Sequence, residues 1–167
     1  MSQFQFVTRW SFQAPIEKVW EMLNRPERFP EWWPGFEQSE LLSGEAGAIG
    51  AVYGYRVRGS AGLIFDFTLQ IEEKQAPRYL RLKADGDFVG SGIWNLSARG
   101  LDTLVTYDWR VGVTRPALRL LGQLPGVRSY MERSHDKVMA QGGENLSRLL
   151  KSAACTASNP GMPTKQR

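Results

Sequence analysis

Between Leu63 and Glu72 the chain alternates: Leu63, Phe65, Phe67, Leu69 and Ile71 fall on one side, Asp66, Thr68, Gln70 and Glu72 on the other, and Ile64 departs from the pattern. A period of two marks a β-strand with one apolar and one wetted face. Such a strand cannot stand alone, because its edges need neighbours and its apolar face needs a cover. The same alternation groups Tyr53, Tyr55 and Val57, then Leu80 and Leu82, then Trp94 and Leu96, then Val105, Tyr107, Trp109 and Val111. Opposite them stand Arg56, Arg58, Arg81, Lys83, Thr106, Asp108 and Arg110, a set suited to cross-strand charge pairing on a solvated face. Breaks at Gly44 to Gly47, Gly59 to Gly62, Ala76-Pro77, Gly86 and Gly100 divide Phe36 to Val113 into six strands of an antiparallel meander.

A further strand precedes the meander. Phe4, Phe6, Trp10 and Phe12 share one face, with Gln5, Arg9, Ser11 and Gln13 opposite. Ala14-Pro15 then puts proline at the first position of a short helix, in which Ile16, Val19, Trp20 and Leu23 recur at helical spacing and which ends near Asn24. Pro26 starts another turn. It leads into Phe29-Pro30-Glu31-Trp32-Trp33-Pro34-Gly35-Phe36. Each proline there removes a backbone donor and restricts its predecessor, so the run is expected to form an irregular aromatic corner. One ring should anchor in the core, and Trp33 is the candidate lid over a cavity mouth.

After the meander, Arg115-Pro116 begins a short helical piece to about Leu124, and Pro125-Gly126 breaks it. A long helix is predicted to about Lys151, with an apolar stripe of Val127, Met131, Val138, Gly142, Leu146 and Leu149 and with Tyr130, His135 and Met139 beside it. Gly142 and Gly143 inside this helix each cost about 1 kcal/mol against alanine, a loss that close approach of another element or a kink would explain. From Ser152 onward small and polar residues predict a disordered tail. The expected organisation is one α+β domain over residues 1–151 and a tail over 152–167. The economical arrangement curls the sheet around the terminal helix, and large aromatics between them hold open a gap for an apolar small molecule.

Charge and composition exclude several function classes. Residues 1–114 carry 12 basic against 14 acidic side chains, and residues 115–151 carry 7 against 3, so the net charge of +4 belongs to the carboxy-terminal helix and tail. No basic patch surrounds the aromatics as nucleic-acid binding requires. No apolar run is long enough to span a bilayer, so no stable membrane insertion is expected, and the amino terminus does not read as a secretory signal. A single cysteine, Cys155, leaves no internal disulfide and no multi-cysteine metal site, so a reducing cytoplasm is the expected compartment.

Taken together, the element order, Ala14-Pro15-Ile16-Glu17-Lys18-Val19-Trp20, Pro30-Glu31-Trp32-Trp33-Pro34-Gly35, Gly92-Ile93-Trp94-Asn95-Leu96 and His135-Asp136-Lys137-Val138-Met139 resemble the START-like (Bet v 1-like, SRPBCC) superfamily in its polyketide cyclase/dehydrase-like branch. The resemblance covers about residues 4 to 151. It implies a helix-grip fold: a seven-stranded antiparallel sheet curved around a long C-terminal helix, two short helices after the first strand, and a hydrophobic cavity between sheet and helix. The function it implies is binding of a small hydrophobic or aromatic molecule; a polyketide cyclase/aromatase or dehydratase-type enzyme and a lipid or quinone carrier are the alternatives.

On this reading the ligand-binding candidates are Trp33, Tyr53, Tyr55, Phe65, Phe67, Trp94, Tyr107, Trp109, Met131, His135 and Val138. The tyrosines are hydrogen-bond donors for a carbonyl or phenol. His135, the only histidine, is the only side chain whose ordinary pKa lies near neutrality. Asp66 and Asp108 are expected to face outward. The sequence contains no nucleophile elbow, phosphate loop or metal constellation, so no catalytic residue, metal or cofactor is assigned.

Overall fold

A computed structural model describes residues 3–157. Seven strands form one antiparallel sheet in the order β1-β7-β6-β5-β4-β3-β2. They are β1 Gln3–Phe12, β2 Phe36–Ser43, β3 Val52–Arg58, β4 Ile64–Gln75, β5 Tyr79–Gly86, β6 Phe88–Arg99 and β7 Asp102–Val113. Strands β2 to β7 are the expected meander, and β1 closes onto β7 with Phe6 opposite Trp109 and Trp10 opposite Val105. Helices α1 (Ile16–Leu23) and α2 (Phe29–Trp32) flank a 3₁₀ turn at Pro26–Arg28, and α3 (Pro116–Leu121) precedes the long α4 (Val127–Ala157). This is the helix-grip arrangement.

Alternation sorts the side chains as the sequence predicts. Tyr53, Tyr55, Leu80, Leu82, Trp94, Val105, Tyr107 and Trp109 are all buried in the one core cluster. The outer face neutralises itself. Arg56 pairs with Asp66 at 2.8 Å, Arg110 with Asp108 at 2.7 Å and Arg81 with Glu73 at 3.3 Å. These are exposed pairs of little individual worth. Hydrogen bonding to its arginine holds the carboxyl of Asp66, and likewise that of Asp108, below the usual range, as expected for surface ion pairs.

Several boundaries differ from expectation for identifiable reasons. Pro15 is the N-cap of α1, one position earlier than predicted, and its carbonyl accepts from the amides of Lys18 and Val19. The aromatic corner is less irregular than its prolines suggest. Pro30 lies in the first turn of α2, where no intrahelical donor is lost, so Trp32 ends a real helical turn. On α4 the apolar stripe drifts: Leu150 is buried and Leu149 is half exposed, while Met139 belongs to the core rather than beside it. A helical period of 3.6 displaces a long stripe away from fixed three-four spacing. Finally, α4 continues past Lys151 to Ala157, so residues 152–157 are helical where a disordered tail is expected. The remainder of that expected tail, 158–167, lies outside the described residues.

Candidate functional site

The glycine pair of α4 sets how near the helix sits to its cover. A Cβ on Gly142 would stand 2.3 Å from Trp33 Nε1, and one on Gly143 would stand 2.6 Å from Trp10 Nε1. Both indoles therefore lie flush against helix backbone. Trp33 Nε1 also donates to the carbonyl of Val138 at 2.8 Å, and the Asn145 amide donates to the carbonyl of Trp32 at 3.0 Å. These contacts clamp α2 onto α4. Trp33 is only 2% exposed, so it is a pillar inside the molecule and not the lid expected from sequence. Its anchoring hydrogen bond and its contact with bare backbone explain the difference, because neither partner is visible in local sequence. Trp32 is buried too, and its Nε1 has no hydrogen-bond partner among the described residues.

Below the clamp a row of aromatics props the sheet. Trp10 meets Trp33 edge-on at 5.5 Å and Trp94 at 5.6 Å, and Trp94 stacks on Tyr107, its cross-strand neighbour, at 4.0 Å. Gly92 makes room for this row, since a Cβ there would stand 2.5 Å from the Tyr107 hydroxyl and 2.9 Å from the Trp109 ring. The groups that crowd this glycine are aromatic rings of β7, its neighbour in the sheet.

The space left between sheet, α2 and α4 is a cavity of about 140 Å³. All eleven residues singled out from the sequence line it. So do several that alternation alone could not assign: Asn24 and Pro26 from the end of α1 and the following turn, Phe29 from α2, and Ser134 and Met139 from α4. The inward pattern of β4 and β5 points to Leu69 and Leu82, also in the wall, but period two cannot separate cavity lining from filled core.

The wall is apolar with a few polar groups at defined places. The Tyr53 hydroxyl accepts from the Gly47 amide at 2.8 Å, and Asn24 Oδ1 is buried without a hydrogen-bond partner among the described residues. Burial pushes the Tyr55 and Tyr107 phenols well above their ordinary value, so both stay protonated donors. His135 lies on α4, stacked on Phe6 with ring centroids 4.3 Å apart and its side chain 15% exposed. Its Nδ1 has no hydrogen-bond partner, although the Asp136 carboxylate is 3.5 Å away. Asp66 and Asp108 face outward, as expected. The described residues contain no group of acidic, histidine or cysteine side chains able to hold a metal.

Burial lowers the His135 pKa below 6.5 and outweighs the nearby Asp136 carboxylate, so the folded protein holds this imidazole neutral. Unfolding lets it take up a proton once the pH falls below 6.5. The stabilisation from the neutral ring is complete above that pH and is lost progressively as pH falls toward the depressed folded-state value. Urea unfolding across mildly acidic pH should show this slope, and H135Q should flatten it. The depressed carboxyls of Asp66 and Asp108 contribute only from about pH 5 downward, so they leave the upper part of the histidine window untouched.

Known structures share this architecture. The Zhui aromatase/cyclase from Streptomyces sp. R1128 superposes with a TM-score of 0.70 at 18% identity, covering 90% of this chain and 94% of that one. A START superfamily protein from Mycobacterium smegmatis gives 0.68 at 15% identity over 89% and 98% of the two chains. TTHA0849 from Thermus thermophilus gives 0.67 at 18% identity over 86% and 97%. At such identities the likeness is one of fold. No curated protein sequence matches the chain significantly. No helix among the described residues is long and apolar enough to cross a membrane. The family model described as polyketide cyclase / dehydrase and lipid transport matches residues 3–150, and the chain therefore belongs to that family.

Proposed function

We propose that this protein binds a small hydrophobic, preferably aromatic, molecule between its sheet and α4. The observation that carries the reading is the cavity itself: about 140 Å³ of space inside a wall built from Trp, Tyr, Phe and aliphatic side chains. Apolar burial supplies the affinity at roughly 25 cal/mol per Å², less ordering costs. Volume sets the ligand's size. An apolar cavity of roughly this size accommodates a benzene ring, whereas pockets for drug-sized ligands run to about 300 Å³ or more. A one- or two-ring compound is favoured, and the long tail of a lipid or quinone would require the helix clamp to open. Asn24 Oδ1 offers a site for a ligand donor, and the Tyr55 and Tyr107 hydroxyls offer donors to a ligand carbonyl or phenol. The expected compartment is the cytoplasm, in keeping with the exposed free thiol of Cys155.

Calorimetric titration with 1-naphthol tests this. A dissociation constant of about 1 to 100 μM is expected. M131W places a larger side chain at a partly buried position of the cavity wall and should weaken binding at least tenfold with little change in thermal stability. Absence of heat with 1-naphthol, or equal binding by M131W, sinks the reading.

A second reading, an enzyme of the cyclase or dehydratase type, is favoured by one observation. His135 is a largely buried imidazole at the cavity wall, kept neutral by desolvation, with the Asp136 carboxylate 3.5 Å from its Nδ1. It has the form of a base that withdraws a proton next to a ligand carbonyl, with a protonated phenol to receive the enolate charge. Deuterium exchange at the central carbon of an aryl 1,3-diketone, followed by NMR, should be accelerated by the protein and slowed about 100-fold by H135Q. Exchange indifferent to H135Q removes this residue from catalysis.

A further inference from the structure

The end of α3 and the turn that joins it to α4 expose three large apolar side chains within five residues: Leu120, Leu121 and Leu124 are 70%, 45% and 54% exposed. Elsewhere on the described surface such residues stand alone or as a pair, as Leu101 and Ile49 do, or Leu41 with Leu42. The opposite side of α3 is seated: Leu118 packs against the core, so the outward leucines sit on an anchored element. Pro116 at its start and Pro125 beyond it stiffen the segment.

The leucines are collared by positive charge. From Thr114 to Arg133 the chain has four arginines and one carboxylate, Glu132. Arg119 and Arg133 are exposed and make no ion pair among the described residues, Arg128 reaches Glu132 at 3.2 Å, and Arg115 is tied to Asp87. Residues 1–114 are net acidic, so the chain's excess positive charge lies in the segment that begins with this turn.

We propose that the α3–α4 turn docks on an anionic lipid membrane. Leu120, Leu121 and Leu124 enter the boundary between headgroups and acyl chains, while Arg119 and its neighbours meet lipid phosphates. Charge complementarity selects this partner. An exposed apolar tip that carries the unpaired Arg119, with exposed Arg128 and Arg133 on the helix that follows, matches a surface that is apolar beneath and negative at its rim. A second copy of the chain would set arginine collar against arginine collar. The docked turn runs straight into α4, whose Met131, Ser134 and His135 line the cavity, although docking does not depend on the cavity's being occupied.

Sedimentation with vesicles of phosphatidylcholine alone, and with about 30 mol% phosphatidylglycerol, tests the proposal. The full chain should bind the anionic vesicles at least tenfold more tightly than the neutral ones. L120S/L124S keeps every charge and alters only exposed side chains, so it should unfold at the wild-type temperature yet bind anionic vesicles at least tenfold more weakly. R119Q should weaken binding about fivefold. Three results overturn the proposal: no binding to anionic vesicles; undiminished binding by L120S/L124S, which would mean diffuse charge attraction; or a concentration-dependent dimer that L120S/L124S dissolves, which would assign the leucines to a second copy.

Discussion

G142A is expected to destabilise the protein by about 2–4 kcal/mol and to lower its melting temperature by roughly 5–15 °C, measured by thermal and urea unfolding. In an unobstructed helix the same change would stabilise by about 1 kcal/mol. Here the new methyl stands 2.3 Å from Trp33 Nε1 and 2.4 Å from its Cε2, and the indole cannot stay. Moving it breaks the hydrogen bond to the Val138 carbonyl and disturbs the contacts with Trp10 at 5.5 Å and Phe36 at 4.7 Å. Overpacking costs about 1–3 kcal/mol and an orphaned buried donor costs a similar amount, so together they exceed the propensity gain. Because one contact carries most of the effect, W33F should relieve G142A, and the double variant should be less destabilised than the sum of the two singles. A neutral or stabilising G142A would show that the clamp between Trp33 and α4 is looser than described.

W33A should cost about 3–5 kcal/mol, a large share of the roughly 5–15 kcal/mol that holds a domain of this size together. The ring is buried beside Trp10, Phe29, Trp32, Phe36 and Trp94, and its removal leaves a void continuous with the cavity. That void has the shape of an indole. Added indole should therefore raise the melting temperature of W33A more than that of the wild type, with about 2.7 kcal/mol of stabilisation when the free ligand reaches roughly 100 times its dissociation constant. Equal shifts in both proteins would mean that the void collapses, or that the wild-type cavity already accepts indole as well as the enlarged one does.

Period two is legible in the sequence wherever one strand face meets water. Tyr53 and Tyr55 on β3, Leu80 and Leu82 on β5, and Tyr107 and Trp109 on β7 all point inward because their intervening neighbours are charged, polar or glycine. Residues outside regular strands are harder to place. Asn24 ends α1 and reaches the cavity only because the 3₁₀ turn at Pro26–Arg28 folds the chain back over the sheet. Trp33 reads as a lid because a proline-bounded tryptophan looks exposed until its hydrogen-bond acceptor, 105 residues away on α4, is known.

What the sequence determined by itself is the set of elements, the face each strand buries, and through its motifs the family and the helix-grip architecture. These rest on local periodicity and on turn residues, which act over a few positions. The tertiary structure alone decided the depth of the cavity, the neutral state of His135 and the reason for Gly142 and Gly143. Each of those depends on how close two distant segments come, and that distance is set by packing: a missing Cβ lets α4 settle onto Trp33 and Trp10, while the stacked Trp94 and Tyr107 keep the sheet from closing the remaining space.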